Sequence, residues 1–156
     1  MNKSIAASEE LELRANKDKA DIFLIQEPRV VKEKIMINLN GYEVFKQGEK
    51  SRACIISKSN LGCKKISDIS SRDVIFIGFE NNGKRYIVGS VYWDITITEL
   101  PNLEKVVERA KNEGSRLLIG GDMNAWSYFM VGQTKCERGY FRGIHNWKRS
   151  KSQNYW

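Results

Sequence analysis

Cysteine, histidine and long apolar runs are scarce in this sequence. Its three cysteines, Cys54, Cys63 and Cys136, are far apart and form no CxxC pair, so neither a disulfide framework nor a zinc site is indicated. Cys54 lies in an apolar strand and is expected in the core. No apolar stretch approaches the length of a membrane span, and residues 1–21 are too rich in charge to resemble a signal peptide. We therefore expect an intracellular protein.

The rest of the composition is that of one folded domain. At 156 residues, with 41% hydrophobic and 10% aromatic residues, the chain has enough apolar surface to bury a core. Its 26 Lys and Arg residues outnumber its 19 Asp and Glu residues and give a formal net charge of +7. An excess of this size suits a polyanionic partner, although it is also common in proteins that bind no nucleic acid.

Hydrophobic patterning predicts a mixed order of helices and strands. Residues 4–19 and 102–112 have the composition and spacing of helices. An uninterrupted apolar run over residues 22–26 predicts a buried strand, and Asn82-Gly83 between two strand-like runs is typical of a β-hairpin. Helices that pack on a sheet are therefore expected, in an α/β (α+β) fold. Further strands are predicted at residues 42–46, 52–58, 73–80, 86–94 and 117–119, and a helix or loop at 136–148.

Polar side chains lie at the ends of three predicted strands. Glu27 closes the first, Tyr92 lies near the end of the second, and Asp122 and Asn124 follow the third. Because strands that end together at one edge of a sheet form the usual ligand-binding crevice, we expect these side chains to converge. A carboxylate for Mg²⁺, an acid for water, an amide for an oxyanion and a hydroxyl for a phosphate oxygen together suit a hydrolytic metal site.

Each of these residues also has a purely structural explanation. Glu27 could begin a solvated loop, and Asp122 could satisfy its own turn after two glycines. Of the neighbours Tyr92 and Trp93, at least one must face the core. The single histidine, His145, lies in a basic aromatic stretch and is interpreted as a surface residue and not as a base.

Three sequence blocks, taken in order, are more specific than any one of them. They are DIFLIQEP at residues 21–28, SVYWD at 90–94 and LLIGGDMNAWS at 117–127. In this order and spacing they resemble the endonuclease/exonuclease/phosphatase superfamily, and most of all the apurinic-like endonuclease domain of non-LTR retrotransposons. NKSIAASEEL, SSRDV and ERG also resemble segments of that domain, so the similarity runs from about residue 2 to about residue 140.

The resemblance implies a fold, a reaction and a role for each candidate residue. The fold is a partial four-layer αββα sandwich of the deoxyribonuclease I-like type, over residues 1–147, with a basic polar tail at 148–156. Glu27 matches the metal-binding glutamate and Tyr92 the tyrosine that contacts the scissile phosphate. Asp122 matches the acid that orients or activates water, and Asn124 the amide that steadies the transition state. The implied reaction is hydrolysis of a DNA phosphodiester with Mg²⁺ or Mn²⁺.

Three features of the family pattern are not found in this sequence. The family has a metal-site asparagine on a strand before the first helix, a late Ser-Asp-His block, and often a histidine at the position that Trp126 holds here. The Asp and His of the late block form a pair that contacts the phosphate. We therefore expect an incomplete domain with weak or no activity.

The sequence leaves three hypotheses about function. The chain could be an incomplete, metal-dependent endonuclease domain with DNA as its substrate, which makes the nucleus one candidate location. It could instead be a catalytically silent remnant that binds nucleic acid or a protein partner. The third hypothesis keeps the superfamily and changes the substrate, to a phosphatase that acts on a lipid or small phosphoester.

Overall fold

The computed structural model describes residues 5–18, 20–32, 34–37, 39–94 and 102–123. Within these ranges the chain forms two α-helices and nine β-strands. The helices are α1, Ile5–Asp18, and α2, Leu103–Glu113. The strands are β1 (Ile22–Gln26), β2 (Val30–Val31), β3 (Lys34–Ile35), β4 (Tyr42–Phe45), β5 (Ala53–Lys58), β6 (Lys64–Lys65), β7 (Val74–Asn81), β8 (Lys84–Trp93) and β9 (Arg116–Met123).

The first sheet has the strand order β1-β5-β4 and is antiparallel throughout. The register of β1 on β5 runs from Ile22 opposite Ser57 to Gln26 opposite Ala53. Because β5 is the central strand and is covered on both faces, its first five residues are all buried. This burial explains why the sequence of β5 is an unbroken run of small and apolar residues and does not alternate with polar ones.

The second sheet has the strand order β6-β7-β8-β9. β7 and β8 form a long hairpin, and the two residues of its turn, Asn82 and Gly83, have φ of 51° and 68°. Such positive φ values are what a two-residue hairpin turn requires. β9 lies parallel to β8, and α2 lies in the connection that brings the chain back to the start of the sheet. α2 ends at Gly114, which has a φ of 63°.

The two sheets pack face to face between the two helices. Ile55 of β5 and Ile75, Ile77 and Val88 of the second sheet are buried in the cluster between the sheets. A second cluster joins α1 to the outer face of the first sheet, and a third joins α2 to the outer face of the second sheet. The order of layers is therefore helix, sheet, sheet, helix, which confirms the predicted αββα sandwich.

Most of the predicted elements are present, with one extension that matters for the site. The strand predicted at residues 117–119 continues to Met123, because Gly120 and Gly121 stay paired with Ser90 and Val91 of β8. Asp122 thus lies inside the strand and not after it, and the alternative explanation, a turn at the two glycines, is wrong. The short strands β2, β3 and β6 were not predicted, since two residues carry no periodicity.

Several predictions fall on residues that the structure does not describe. They are Asn124, Trp126 and His145, the helix or loop at residues 136–148 and the basic tail at 148–156. In the part of the chain that is described, no helix has the length and apolar character of a membrane span.

Candidate active site

Tyr92 and Asp122 are direct neighbours on adjacent strands. The parallel register of β8 and β9 pairs their Cα atoms. Paired strands lie about 4.8 Å apart, and residues in register project from the same face of the sheet. Tyr92 is half-buried against the cluster between the sheets, whereas Trp93 is only 3% exposed and packs in the cluster under α2. The face that carries Tyr92 is therefore the inner one.

Glu27 is held in an unusual backbone conformation directly after β1. Its φ is 48°, in the left-handed region that a residue with a side chain rarely adopts. Its backbone N–H donates to the carbonyl oxygen of Arg52 at 2.7 Å. Such a conformation costs on the order of 1–3 kcal/mol and persists only where surrounding contacts impose it, which is typical of functional sites.

The side chains of Glu27 and Tyr92 lie close to each other, one from each of the two sheets. Burial raises the pKa of the Tyr92 phenol, the negative charges of Glu27 and Asp94 raise it further, and the positive charge of Arg52 opposes them. Tyr92 therefore stays neutral at physiological pH and presents an O–H donor at this end of the sandwich.

A buried polar link fixes the strand ends that carry Glu27 and Tyr92. Gln26 Nε2 donates to Ser90 Oγ at 3.0 Å, and Ser90 Oγ donates to the Ile25 carbonyl oxygen at 3.2 Å. Ser90 is fully buried. The link joins β1 to β8 one residue before Glu27 and two residues before Tyr92. A small side chain at Ser90 also lets the two sheets approach closely here.

The two glycines of β9 allow close contact on both sides of the strand. A Cβ atom added at Gly121 would lie 1.9 Å from the carbonyl oxygen of Val91 on β8. One added at Gly120 would lie 2.8 Å from Leu24 Cδ1 on β1. The glycines thus bring β9 close to both neighbours and set the distance between Asp122 and the rest of the site.

Arg52 is the residue of this region that the sequence interpretation missed. Its guanidinium donates through Nε and Nη2 to the two carboxylate oxygens of Asp73, the second at 2.8 Å, and through Nη1 to Asp94 at 2.5 Å. The sequence did contain an indication of this ion-pair role. Asp73 and Asp94 bracket the predicted hairpin, so pairing of its strands puts two carboxylates together and demands a cation between them.

Four carboxylates, those of Glu27, Asp73, Asp94 and Asp122, lie at or next to these strand ends. Two of them, Asp73 and Asp94, are paired with Arg52. Among the described residues no three acidic, histidine or cysteine side chains form a ready cage for a metal ion. A single carboxylate completed by water and substrate phosphate is nonetheless how Mg²⁺ is usually held, so Glu27 fits that role.

A groove of about 600 Å³ lies away from these residues, at the opposite end of the second sheet. Tyr86 lines it, six residues before Tyr92 on β8 and so roughly 20 Å away. Its Arg109 is paired with both Asp68 and Glu113. These paired surface charges do not form a catalytic arrangement, and we place the candidate site at the Glu27 end.

The fold is similar to solved structures of the endonuclease/exonuclease/phosphatase superfamily, which confirms the resemblance predicted from the sequence blocks. The endonuclease domain of TRAS1, a telomere-specific non-LTR retrotransposon, is similar to this chain with a TM-score of 0.59 and 25% sequence identity. The match covers 80% of this chain and 56% of that domain, so the chain spans little more than half of its length.

An endonuclease/exonuclease/phosphatase family protein from Leptotrichia buccalis is also similar, with a TM-score of 0.49, 12% identity and coverage of 77% of this chain and 60% of that one. No model of a known protein family matches the chain, and no curated protein matches its sequence.

The structure brings together three of the four predicted site residues. The Glu27 carboxylate lies close enough to Tyr92 to raise the pKa of its phenol, and Tyr92 and Asp122 are paired in register. Asn124, two residues beyond Asp122, lies outside the described residues. The catalytic and metal-binding roles of all four remain predictions.

Proposed function

We propose that this chain belongs to a metal-dependent phosphodiester hydrolase that cleaves nucleic acid, with DNA as the expected substrate. One observation carries the proposal: Glu27, directly after β1, lies at the same end of the sandwich as Tyr92 on β8 and Asp122 on β9. The likeness to a retrotransposon endonuclease domain supports the substrate class. So does the formal charge of +7, since phosphate neutralisation favours binding of DNA to a basic protein.

Each of the four candidate residues has a separate role in the proposed reaction. Glu27 would hold Mg²⁺ or Mn²⁺, and when bound the cation supplies Lewis acidity toward the phosphate. Asp122 orients the attacking water and accepts its proton, and Tyr92, kept neutral by burial and by Glu27, donates a hydrogen bond to a phosphate oxygen. Asn124 donates its amide hydrogens to the developing negative charge.

A plasmid-nicking assay tests the proposal. The chain is expected to convert supercoiled plasmid to the open circle with Mg²⁺, but slowly, because the late Ser-Asp-His block of the family is not found in its sequence, and to do nothing in EDTA. Glu27→Gln and Asp122→Asn keep the size of each side chain and are each expected to lower the rate by about 10²–10⁴-fold. Glu80→Gln, an exposed carboxylate near the hairpin turn at the far end of β7, is the matched control and should nick at the wild-type rate.

The outcomes separate this proposal from the other hypotheses. Nicking that survives both Glu27→Gln and Asp122→Asn would show that the activity comes from elsewhere. Salt-dependent DNA binding by a wild-type chain that never nicks would assign it to the silent nucleic-acid-binding class. Preference for a small phosphomonoester over plasmid would assign it to the phosphatases.

The role of Glu27 as a metal ligand can also be tested without measuring nicking. Mn²⁺ binding followed by electron paramagnetic resonance should be at least about tenfold weaker in Glu27→Gln than in the wild type, because the variant loses the carboxylate ligand. Equal Mn²⁺ affinity in both proteins would remove Glu27 from the metal site.

A further inference from the structure

Arg52 contacts, through its side chain, the groups that surround Tyr92. Its guanidinium forms a two-pronged ion pair with Asp73, just before β7, and a single one with Asp94, just after β8. The guanidinium carbon also lies 4.9 Å from the centroid of the Tyr92 ring, over its face. The Arg52 side chain thus contacts both carboxylates and the face of the Tyr92 ring.

The backbone around Arg52 reaches the remaining strand end. The Arg52 carbonyl oxygen accepts the N–H of Glu27 at 2.7 Å, and the Arg52 N–H donates to the carbonyl oxygen of Arg72 at 2.7 Å. The carbonyl oxygen of Asp73 in turn accepts the N–H of Tyr92 at 2.8 Å. The side-chain pair between Arg52 and Asp73 therefore joins two backbone contacts, one to Glu27 and one to Tyr92.

The Arg52 side chain is engaged in contacts within the protein, so we do not expect it to bind substrate directly. It is 24% exposed, and its partners Asp73 and Asp94 are 14% and 24% exposed. The hydrogen bond from Arg52 holds the pKa of the Asp73 carboxyl below its usual range, so both members of the pair stay charged. With its N–H groups turned to two carboxylates, the guanidinium acts on the site through Glu27 and Tyr92.

Lysine could not replace Arg52 in this arrangement. The planar guanidinium presents several N–H donors in a fixed fork, which lets it face both oxygens of Asp73 and one of Asp94 while its flat side covers the Tyr92 ring. An ammonium group is a point charge and can satisfy only part of this set at once.

We infer that Arg52 is a positioning residue of the candidate active site, which sets the relative placement of Glu27 and Tyr92 through Asp73 and Asp94. The inference rests on the proposed function in so far as it concerns the reaction. Its geometric content, that Arg52 holds the ends of β1 and β8 in place, can be tested without activity.

The kinetic test compares Arg52→Met and Arg52→Lys with Arg109→Met. Arg109 pairs with two carboxylates as Arg52 does, but on α2 and away from the site, so its loss is chemically matched. We expect Arg52→Met to lower kcat for nicking about 100-fold, as misplacement of reacting groups by about 1 Å does, with KM changed less than about threefold. Arg52→Lys should fold as the wild type and still lose at least about tenfold in kcat, and Arg109→Met should keep the wild-type kcat.

Wild-type kcat in Arg52→Lys and Arg52→Met, or an equal loss in Arg109→Met, would overturn the inference. A wild-type chain without nicking refutes the proposed function alone. The geometry is then decided by hydrogen exchange of single amides. In Arg52→Met we expect the amides of Glu27 and Tyr92 to exchange at least about tenfold faster, with those of Ile87 and Val88 in the middle of β8 unchanged. Unchanged exchange at the first pair, or a uniform rise at all four, would overturn the inference as well.

Discussion

Replacing Gly121 with alanine should disrupt both the fold and the site, because the added methyl group meets backbone. Its Cβ would lie 1.9 Å from the Val91 carbonyl oxygen, and real Cβ atoms do not approach closer than 3.0 Å. β9 must therefore retreat from β8 by at least about 1.1 Å, the difference between these distances. Backbone that is paired along the whole ladder cannot turn aside as a side chain can.

The expected cost follows from that displacement. Overpacking costs about 1–3 kcal/mol, and although Gly121 is exposed, a clash with paired backbone belongs at the upper end of this range. For a chain of this size about 3 kcal/mol lowers the melting temperature by roughly 6–12 °C. The same shift moves Asp122 away from Tyr92, and a displacement of about 1 Å costs about 100-fold in rate. Thermal unfolding followed by circular dichroism and the plasmid-nicking rate measure the two effects.

Gly120→Ala is the matched control for this prediction. It adds the same methyl group one residue earlier, where the nearest atom is the flexible end of Leu24 at 2.8 Å. A side-chain rotation can relieve that contact, so the cost should stay below about 1.5 kcal/mol. Two results would contradict this reasoning: a wild-type melting temperature for Gly121→Ala, or a greater destabilisation by Gly120→Ala. Either would show that Gly121 is not needed for the close approach of β9 to β8.

Further predictions concern the acid response, the core and the hairpin. Because pairing with Arg52 and Arg72 lowers the pKa of Asp73, its contribution to stability is complete above the unfolded value of about 3.9 and is lost as the pH falls toward the folded value. Asp73→Asn should therefore flatten the fall in unfolding free energy below about pH 4 in urea titrations, and an unchanged slope would contradict this. Trp93→Ala, at a site 3% exposed, should cost about 3–5 kcal/mol in urea unfolding, and a loss under about 1 kcal/mol would mean that Trp93 is not packed. Asn82→Gly should be neutral or stabilising in the same experiment, since φ is 51°, while Asn82→Val should destabilise.

The architecture was open to prediction because its signals are local. The apolar run of β1 and the Asn82-Gly83 turn each follow from a few neighbouring residues, and both were found where expected. Convergence of Tyr92 and Asp122 could also be expected, since both lie near the ends of buried strands. Their exact pairing could not, because a parallel register is set by the connection between strands and not by either strand.

The supporting contacts join residues that are far apart in the sequence, and only the two aspartates that bracket the hairpin gave any indication of one of them. Arg52 acts through partners 21 and 42 residues away, and Gln26 bonds Ser90 across 64 residues. An arginine before a strand has no distinctive spacing, and its role becomes visible only when both ends of the hairpin are in place. The left-handed backbone at Glu27 is likewise imposed by tertiary contacts and has no counterpart in residue type.

The parallel pairing of β8 and β9 has a consequence for the order of folding. The β7–β8 hairpin closes over a two-residue turn and can form in microseconds, before distant parts of the chain meet. Pairing of β9 must first close the connection over residues 94–115, which costs loop entropy before any contact is gained. Tyr92 is therefore expected to be in place early and Asp122 late, so that a partly folded chain would carry the phenol without the acid. Pulsed hydrogen exchange during refolding tests this order. The amides of β7 and β8 should become protected before those of β9.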